Sequence, residues 1–137
     1  ISRDGAHTLI ERAHAAGAIV VASFHDFEAT PGDDQLAEVL AGMNYAGADV
    51  LKFACMAHSA TDAARVLGAQ AWAHEAYDRP VIGISMGPNG APTRLVGSPL
   101  GSAATFATLP GAEGSAPGQF TVEQVRAVLD IVEGSEV

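Results

Sequence analysis

The pattern of hydrophobic and polar positions along the chain alternates between blocks at helical spacing and short apolar runs. The helical blocks, bounded by glycine, proline or capping residues, predict four long helices. These helices cover residues 8–16, 31–46, 59–77 and 121–132. Gly17 and Gly47 directly follow the first two blocks, where a helix is expected to end.

Four short apolar runs predict β-strands at residues 18–23, 49–54, 81–86 and 102–107. The first run, AIVVAS, is typical of a strand buried on both faces of a parallel sheet. The first three runs begin about 30 residues apart, which is the size of a βαβ unit. The alternation predicts an α/β fold with a parallel sheet. An open doubly wound sheet and part of a (β/α)8 barrel both fit this periodicity.

No GxGxxG or GxxxxGK[ST] sequence follows a predicted strand, which disfavours a nucleotide-binding site. In parallel α/β folds, chemistry is concentrated at the C-terminal ends of the strands. The stretch 109–118, rich in glycine, proline and serine, follows the fourth predicted strand. Its length and composition predict a loop that can act as a lid over a site at this end of the sheet.

Composition narrows the range of partners. The 137 residues are expected to form one domain, 1–137, and a net charge of −9 disfavours nucleic acids and anionic membranes. The longest apolar stretch, 15–24, is shorter than the roughly 20 residues that span a bilayer.

Cys55 is the single cysteine, so no internal disulfide can form and a cytoplasmic location is expected. No group of residues has metal-ligand spacing, so no metal is expected.

Lys52 is the most informative residue, because it stands in the middle of the apolar run VLKFA. A buried ammonium group is costly unless it is paired or loses its proton. A lysine whose pKa is lowered in this way is a nucleophile toward carbonyl groups. A structural lysine that extends to solvent from an edge strand explains the pattern equally well.

Four further polar residues follow the predicted strands. His25 comes just after the first strand and can exchange a proton near pH 7, although a histidine that bonds to Asp26 is the more frequent case. Arg94 could hold a carboxylate through two parallel hydrogen bonds, although an isolated arginine is more often a solvated surface residue. Ser115 and Gln119, in the loop, offer donors and acceptors for hydroxyl groups.

Six segments together resemble, in order and in separation, the type I 3-dehydroquinate dehydratases. They are SFHDFEATP (23–31), DVLKFACM (49–56), RPVIGISMG (79–87), TRLVG (93–97), GSAATF (101–106) and SAPGQ (115–119). The resemblance covers residues 9–132 and corresponds to the C-terminal half of that family. It implies a (β/α)8 TIM barrel, of which this chain covers about the C-terminal four βα units.

The resemblance also implies an activity: a hydro-lyase of the shikimate pathway (EC 4.2.1.10) that removes water from 3-dehydroquinate to give 3-dehydroshikimate, without a cofactor. Lys52 would form the Schiff base with the substrate ketone, and His25 would be the general acid–base. The remaining implied site residues bind or enclose the substrate: Arg94 its carboxylate, Ser115 and Gln119 its hydroxyls, and Met86 and Phe106 its apolar surface.

Chain length leaves two alternatives open. A (β/α)8 barrel usually needs about 250 residues, so the chain is expected to be either a fragment or a half-barrel that pairs. The expected partner is a second copy, giving a homodimer, or the missing N-terminal half. A non-catalytic half-barrel that acts as an assembly module is the alternative function. A Schiff-base aldolase acting on phosphorylated sugars is disfavoured, because the stretch 107–119 has no G-x-G turn that leads directly into a helix.

Overall fold

The computed structural model describes residues 3–116 and 118–134. Helices and strands alternate through the first three quarters of this range, and a last helix follows a long irregular segment. The elements are α1 (Arg3–Ala15), β1 (Val21–Asp26), α2 (Asp33–Tyr45), β2 (Val50–Met56), α3 (Ala60–Ala76), β3 (Val81–Met86), α4 (Thr93–Val96), a 3-10 turn (Ser98–Leu100) and α5 (Val122–Glu133). The predicted α/β alternation is confirmed, and β3 has the predicted bounds.

The three strands form one parallel sheet in the order β1-β2-β3. One face of the sheet packs against α2 and α3. The core on this face is built from large apolar side chains: Leu36, Leu40, Leu51, Phe53, Val66 and Val81. The second face carries a smaller apolar cluster of Ala54, Ile82, Ile84 and Met86. Because successive side chains of a strand point to opposite faces, Lys52 lies on this second face with Ala54.

The helix ends follow the local signals in the sequence. Gly17 and Gly47 adopt φ values of 79° and 90°, the left-handed conformation that terminates α1 and α2. Ser59 caps α3 by accepting a hydrogen bond from the backbone N–H of Asp62. Thr121 opens α5 in a reciprocal capping box with Gln124. Local chemistry therefore places these four helix ends within two residues of the predicted boundaries. The start of α1 was predicted wrongly, since the helix begins at Arg3 rather than at Thr8.

Strand β1 differs from its predicted form in position and in burial. It begins at Val21 rather than at residue 18, and the carbonyl of Val20, just before it, accepts from the Asp49 and Val50 backbone N–H groups. His25 therefore lies within the strand instead of after it. The expectation of burial on both faces was also wrong. β1 is an edge strand in the described sheet, and Val21 is 50% exposed.

The fourth predicted strand, residues 102–107, does not form. Pairing with β3 begins at one bridge between Val81 and Ser102 and goes no further. At the next position along the edge, the Gly83 N–H donates to Gln70 Oε1 of α3 at 2.9 Å instead of to a strand. The Gln70 Nε2 group donates in turn to the carbonyls of Gly97 and Leu100, each at 3.1 Å. A buried glutamine thus takes the bond that would have continued the sheet.

Replacing Gln70 by leucine is expected to destabilise the fold. Gln70 is 0% exposed and bonds three backbone groups. The apolar side chain would remove the bonds to the Gly83 N–H and the Leu100 carbonyl, while the Gly97 carbonyl would keep its bonds from the Leu100 and Ser102 N–H groups. Since each buried unsatisfied group costs about 1–3 kcal/mol, we expect a loss of about 2–4 kcal/mol in the free energy of unfolding. Urea denaturation measures it. Gln35→Leu, at an exposed position on α2, is the control, and equal midpoints for the two variants would contradict the assignment.

A groove runs along the open side of β1, between α1 and α2. Its volume is about 790 Å³ and much of its lining is apolar, including Leu9, Ile10, Val39 and Met43. Large side chains at this edge stay exposed, with Ile19 at 79% and Leu9 at 54%. Among the described residues no strand pairs with this side of β1. The sheet is therefore open at its β1 edge.

Candidate active site

The register of β1 against β2 brings three polar side chains together on the second face. Ser23 pairs with Lys52, and His25 pairs with Ala54, so all three polar groups lie on the same side of the two strands. The Lys52 Nζ atom lies 2.9 Å from His25 Nε2 and donates to Ser23 Oγ at 3.2 Å. An amine and an imidazole at this distance can pass a proton between them or to a common ligand.

The surroundings favour the uncharged forms of both basic groups. Burial lowers the pKa of Lys52 from the ordinary value of a lysine. The pKa of His25 is lowered too, first by burial and then by the nearby charge of Lys52. A lysine with a lowered pKa holds more of its free amine at neutral pH, which is the form that attacks a carbonyl carbon. A histidine with a lowered pKa stays available as a base under the same conditions.

A cavity of about 180 Å³ opens over this pair at the C-terminal ends of the strands. Its lining includes every side chain that the sequence singled out: His25, Lys52, Met86, Arg94, Phe106, Ser115 and Gln119. The Lys52 Nζ atom lies 5.7 Å from the centre of the Phe106 ring, within range of a cation–π contact. The structure therefore brings the predicted residues to one site.

Arg94 lies in α4 with only 4% of its surface exposed, so it is not a solvated surface arginine. Its segment is held in place by the hydroxyl of Thr105, which donates to the Arg94 carbonyl at 3.0 Å. Burial lowers the pKa of the guanidinium. None of the described residues that line the cavity carries a carboxylate, in a chain whose net charge is −9. An anionic ligand would thus meet basic groups without a competing acidic side chain.

The irregular segment before α5 contributes Ser115 and Gln119, which bond to each other. Ser115 donates its backbone N–H to Gln119 Oε1 at 2.9 Å, and Gln119 Nε2 donates to Ser115 Oγ at 3.0 Å. The base of the loop packs closely on the turn after β3: a Cβ at Gly118 would lie 2.8 Å from the Gly87 carbonyl oxygen. Both polar side chains are therefore held at the rim of the cavity.

Two residues beside the catalytic candidates were not singled out from the sequence. Ser23 contacts Lys52, and the Phe27 ring stacks on His25 with ring centres 5.7 Å apart and an angle of 8° between their planes. Both stand two positions from His25, a spacing that puts side chains on one face of a strand. The same spacing could have pointed to Ser23 and Phe27 from the sequence if His25 had been assigned to β1 instead of to the position after it.

Other reactive groups in the described part of the chain offer no second centre. Cys55 is buried on the helix-packed face of β2, and burial followed by the charge of Asp26 raises its pKa to about 12. Among residues 3–116 and 118–134, no three His, Cys, Asp or Glu side chains are grouped as metal ligands would be. Over the same ranges, no helix combines the length and hydropathy needed to cross a bilayer.

Comparison with known proteins shows the family. The family model of Type I 3-dehydroquinase matches residues 1–136. The chain belongs to the type I 3-dehydroquinase family. The 3-dehydroquinate dehydratase of Klebsiella pneumoniae (strain 342) is 41% identical over 127 residues, which are 92% of this chain and 50% of that protein.

Solved 3-dehydroquinate dehydratase structures have the same fold over this region. The crystal structure of 3-dehydroquinate dehydratase from Geobacillus kaustophilus HTA426 matches with a TM-score of 0.90 and 34% identity, over 96% of this chain and 51% of that one. The type I enzyme from Clostridium difficile with covalently modified comenic acid matches with a TM-score of 0.87 and 32% identity, over 98% and 52%. The chain spans about half the length of the relatives that it matches, as expected for part of their barrel.

Proposed function

We propose that this chain supplies the Schiff-base half of a type I 3-dehydroquinate dehydratase, the hydro-lyase that removes water from 3-dehydroquinate to give 3-dehydroshikimate. The observation that carries the proposal is the 2.9 Å approach of Lys52 Nζ to His25 Nε2, in a cavity that also holds a buried arginine. Membership of the family supports it. The proposed setting is the shikimate pathway of the cytoplasm.

In the first stage, the free amine of Lys52 attacks the ketone carbon of the substrate. The carbonyl oxygen takes from His25 the proton that the imidazole received from the Lys52 ammonium, and the attacking nitrogen returns a proton to His25, which gives a carbinolamine. The hydroxyl of the carbinolamine then leaves as water, with a proton again supplied through His25, and a protonated imine remains. The lowered pKa values of the two groups support these roles, because one must react as a free amine and the other must exchange protons near neutral pH.

In the second stage, neutral His25 removes the proton on the carbon next to the imine. The electron pair of that C–H bond moves into the protonated imine, which is a better electron sink than the ketone, and an enamine forms. The enamine expels the hydroxyl group at the β carbon, which leaves as water with the proton held by His25. Water then hydrolyses the conjugated imine and releases the product and the Lys52 amine, so one water is lost overall.

Arg94 is the proposed partner of the substrate carboxylate, and Ser115 and Gln119 are the proposed partners of its hydroxyl groups. Met86 and Phe106 complete the apolar wall. In this scheme the hydrogen bond between Ser115 and Gln119 opens so that both groups can turn to the substrate. A loop that can exchange its own contact for substrate contacts is suited to act as a lid.

Arg94→Met is expected to raise KM about 10- to 100-fold with a smaller change in kcat. The expectation follows because a charge-assisted hydrogen bond contributes about 1.5–3 kcal/mol and each 1.4 kcal/mol is a tenfold change in affinity. The methionine keeps an apolar stem in the buried position. Arg126→Met, at an exposed position on α5, is the matched control. A KM that is unchanged in Arg94→Met, with melting behaviour like that of the control, would remove Arg94 from the substrate site.

The proposal also includes a partner that covers the open side of the sheet. The unpaired side of β1 and the groove of about 790 Å³ beside it offer both a strand edge and an apolar surface. The N-terminal half of the relatives' barrel, or a second copy of this chain in a homodimer, would supply the missing strand. Light scattering distinguishes a discrete dimer from a mixed population that is rescued only by adding the N-terminal half.

The direct test is turnover of 3-dehydroquinate, followed by the ultraviolet absorbance of the conjugated product. It is measured for the chain alone and for the chain mixed with the N-terminal half of a relative. Turnover in either sample that disappears in Lys52→Ala supports the proposed function. Absence of turnover in both samples, with a folded chain that gives no adduct with borohydride, would refute it.

A further inference from the structure

We infer that Ser23 is a positioning residue for Lys52: its hydroxyl takes the single N–H of the protonated imine and so leaves His25 free to move protons. The inference rests on the proposed function, because it concerns a covalent intermediate on Lys52. The contact between Lys52 and Ser23 has no part in the reaction scheme above. The Lys52 Nζ atom already donates to Ser23 Oγ at 3.2 Å in the structure.

The position of Ser23 follows from the sheet. Ser23 is the register partner of Lys52 across β1 and β2, and His25 is one same-face position further along β1. The Lys52 nitrogen is therefore bracketed by a hydroxyl at 3.2 Å and an imidazole at 2.9 Å. Both neighbours are fixed by strand pairing, so these contacts do not depend on a flexible loop.

The number of N–H groups on the Lys52 nitrogen changes during the reaction. A charged amine has three, which is enough to bond Ser23 and His25 together. A protonated imine has only one. If His25 Nε2 accepted it, the lone pair that must take the substrate proton would be occupied. A serine hydroxyl can accept the same hydrogen bond through its oxygen lone pairs, and it leaves the Nε2 lone pair of His25 free.

A packing role for Ser23 is not supported by its surroundings. The residue is exposed on the second face of β1, and it belongs to neither of the two apolar clusters. Loss of its hydroxyl should therefore change the chemistry of Lys52 without changing the core. Threonine keeps the hydroxyl and is well suited to a strand, so Ser23→Thr is the conservative counterpart of Ser23→Ala.

The test uses the fact that Lys52 is the only lysine in the chain. This chain, labelled with ¹³C at the lysine ε carbon, gives one lysine signal, and its titration reports the pKa of Lys52 directly. Because a hydrogen bond to the charged amine favours that form, Ser23→Ala is expected to lower the pKa of Lys52 by roughly half a unit to one unit. Ser23→Thr is expected to restore it. This measurement needs neither substrate nor turnover.

The second arm follows the chemistry. In Ser23→Ala, adduct formation with 3-dehydroquinate and borohydride is expected to persist, while kcat falls roughly 10- to 100-fold, as for a displaced general base. KM should change little, and the deuterium isotope effect at the carbon next to the imine should increase. Ser23→Thr is expected to recover most of kcat. A purely structural defect would lower adduct formation and turnover together and would not alter the isotope effect.

The outcomes separate this inference from the proposed function. An adduct that survives in Lys52→Ala would overturn the proposed function. An adduct lost in Lys52→Ala, together with a Lys52 pKa that is the same in the parent chain, Ser23→Ala and Ser23→Thr, would overturn only the role of Ser23. If Ser23→Ala and Ser23→Thr have the same kcat and the same Lys52 pKa, the role of Ser23 would also be overturned, whether both variants are impaired or both are normal. If the parent chain and the Ser23 variants all fail to turn over substrate, the measured pKa of Lys52 in each of them decides whether Ser23 has the inferred role.

Discussion

Lys52→Ala is expected to abolish covalent capture of 3-dehydroquinate and to lower turnover by about 10⁴-fold or more, the scale seen when a covalent nucleophile is removed. Lys52 carries the only side-chain amine in the sequence. Borohydride reduces an imine to a stable amine, so intact-mass spectrometry after reduction should show one adduct on the parent chain and none on the variant. Peptide mapping should place the adduct in β2.

Lys52→Arg is the matched control for this experiment. It keeps a positive charge beside His25 but has no nucleophilic amine, and it should also fail to form the adduct. Circular dichroism and melting curves establish that both variants are folded. An adduct that persists in either variant would have to lie at the N-terminal amine or elsewhere, and it would exclude Lys52 as the Schiff-base residue.

His25→Ala is expected to lower kcat by about 10²- to 10⁴-fold, the usual contribution of a positioned general acid–base. The adduct with borohydride should still form, but more slowly, because Lys52 keeps its amine while the proton transfers lose their carrier. Single-turnover kinetics separates the two effects. His74→Ala, at an exposed position on α3, is the control and should leave both rates unchanged. Equal losses in the two variants would point to a general effect of removing a histidine.

The pH dependence of kcat/KM provides a second readout of His25. Burial and the charge of Lys52 lower the pKa of His25 from 6.5, so the imidazole stays neutral to a lower pH than an ordinary histidine. Activity that needs neutral His25 should be constant above that pKa and fall as the pH drops through it. The acidic limb is therefore expected below 6.5 in the parent chain. Its persistence at the same pH in His25→Ala would assign it to another group.

Local sequence signals predicted most of the elements because their causes are local. Glycines in the left-handed conformation end α1 and α2, side-chain caps open α3 and α5, and β3 is a buried apolar run with clear ends. The site residues could be named from the sequence for a different reason. They stand at or beyond the C-terminal ends of strands, and their segments resemble one family.

Contacts between distant segments decided the rest. A strand pattern at 102–107 was overridden by Gln70, whose amide occupies the Gly83 N–H that the next strand would have used. The bounds of the first strand follow its pairing with β2, from Val21 opposite Val50 to Asp26 opposite Cys55, a pairing that no local window contains.

The sequence by itself determined the α/β order, the helix ends and the identity of the polar groups that could react. Only the tertiary structure decided that Arg94 is buried and that Ser23 lies opposite Lys52. Periodicity tells which residues of one element share a face, but burial and contact distance depend on which elements meet and in what register. The register of a parallel pair is set by the packing of both strands on the same helices, so it exists only once the chain has folded.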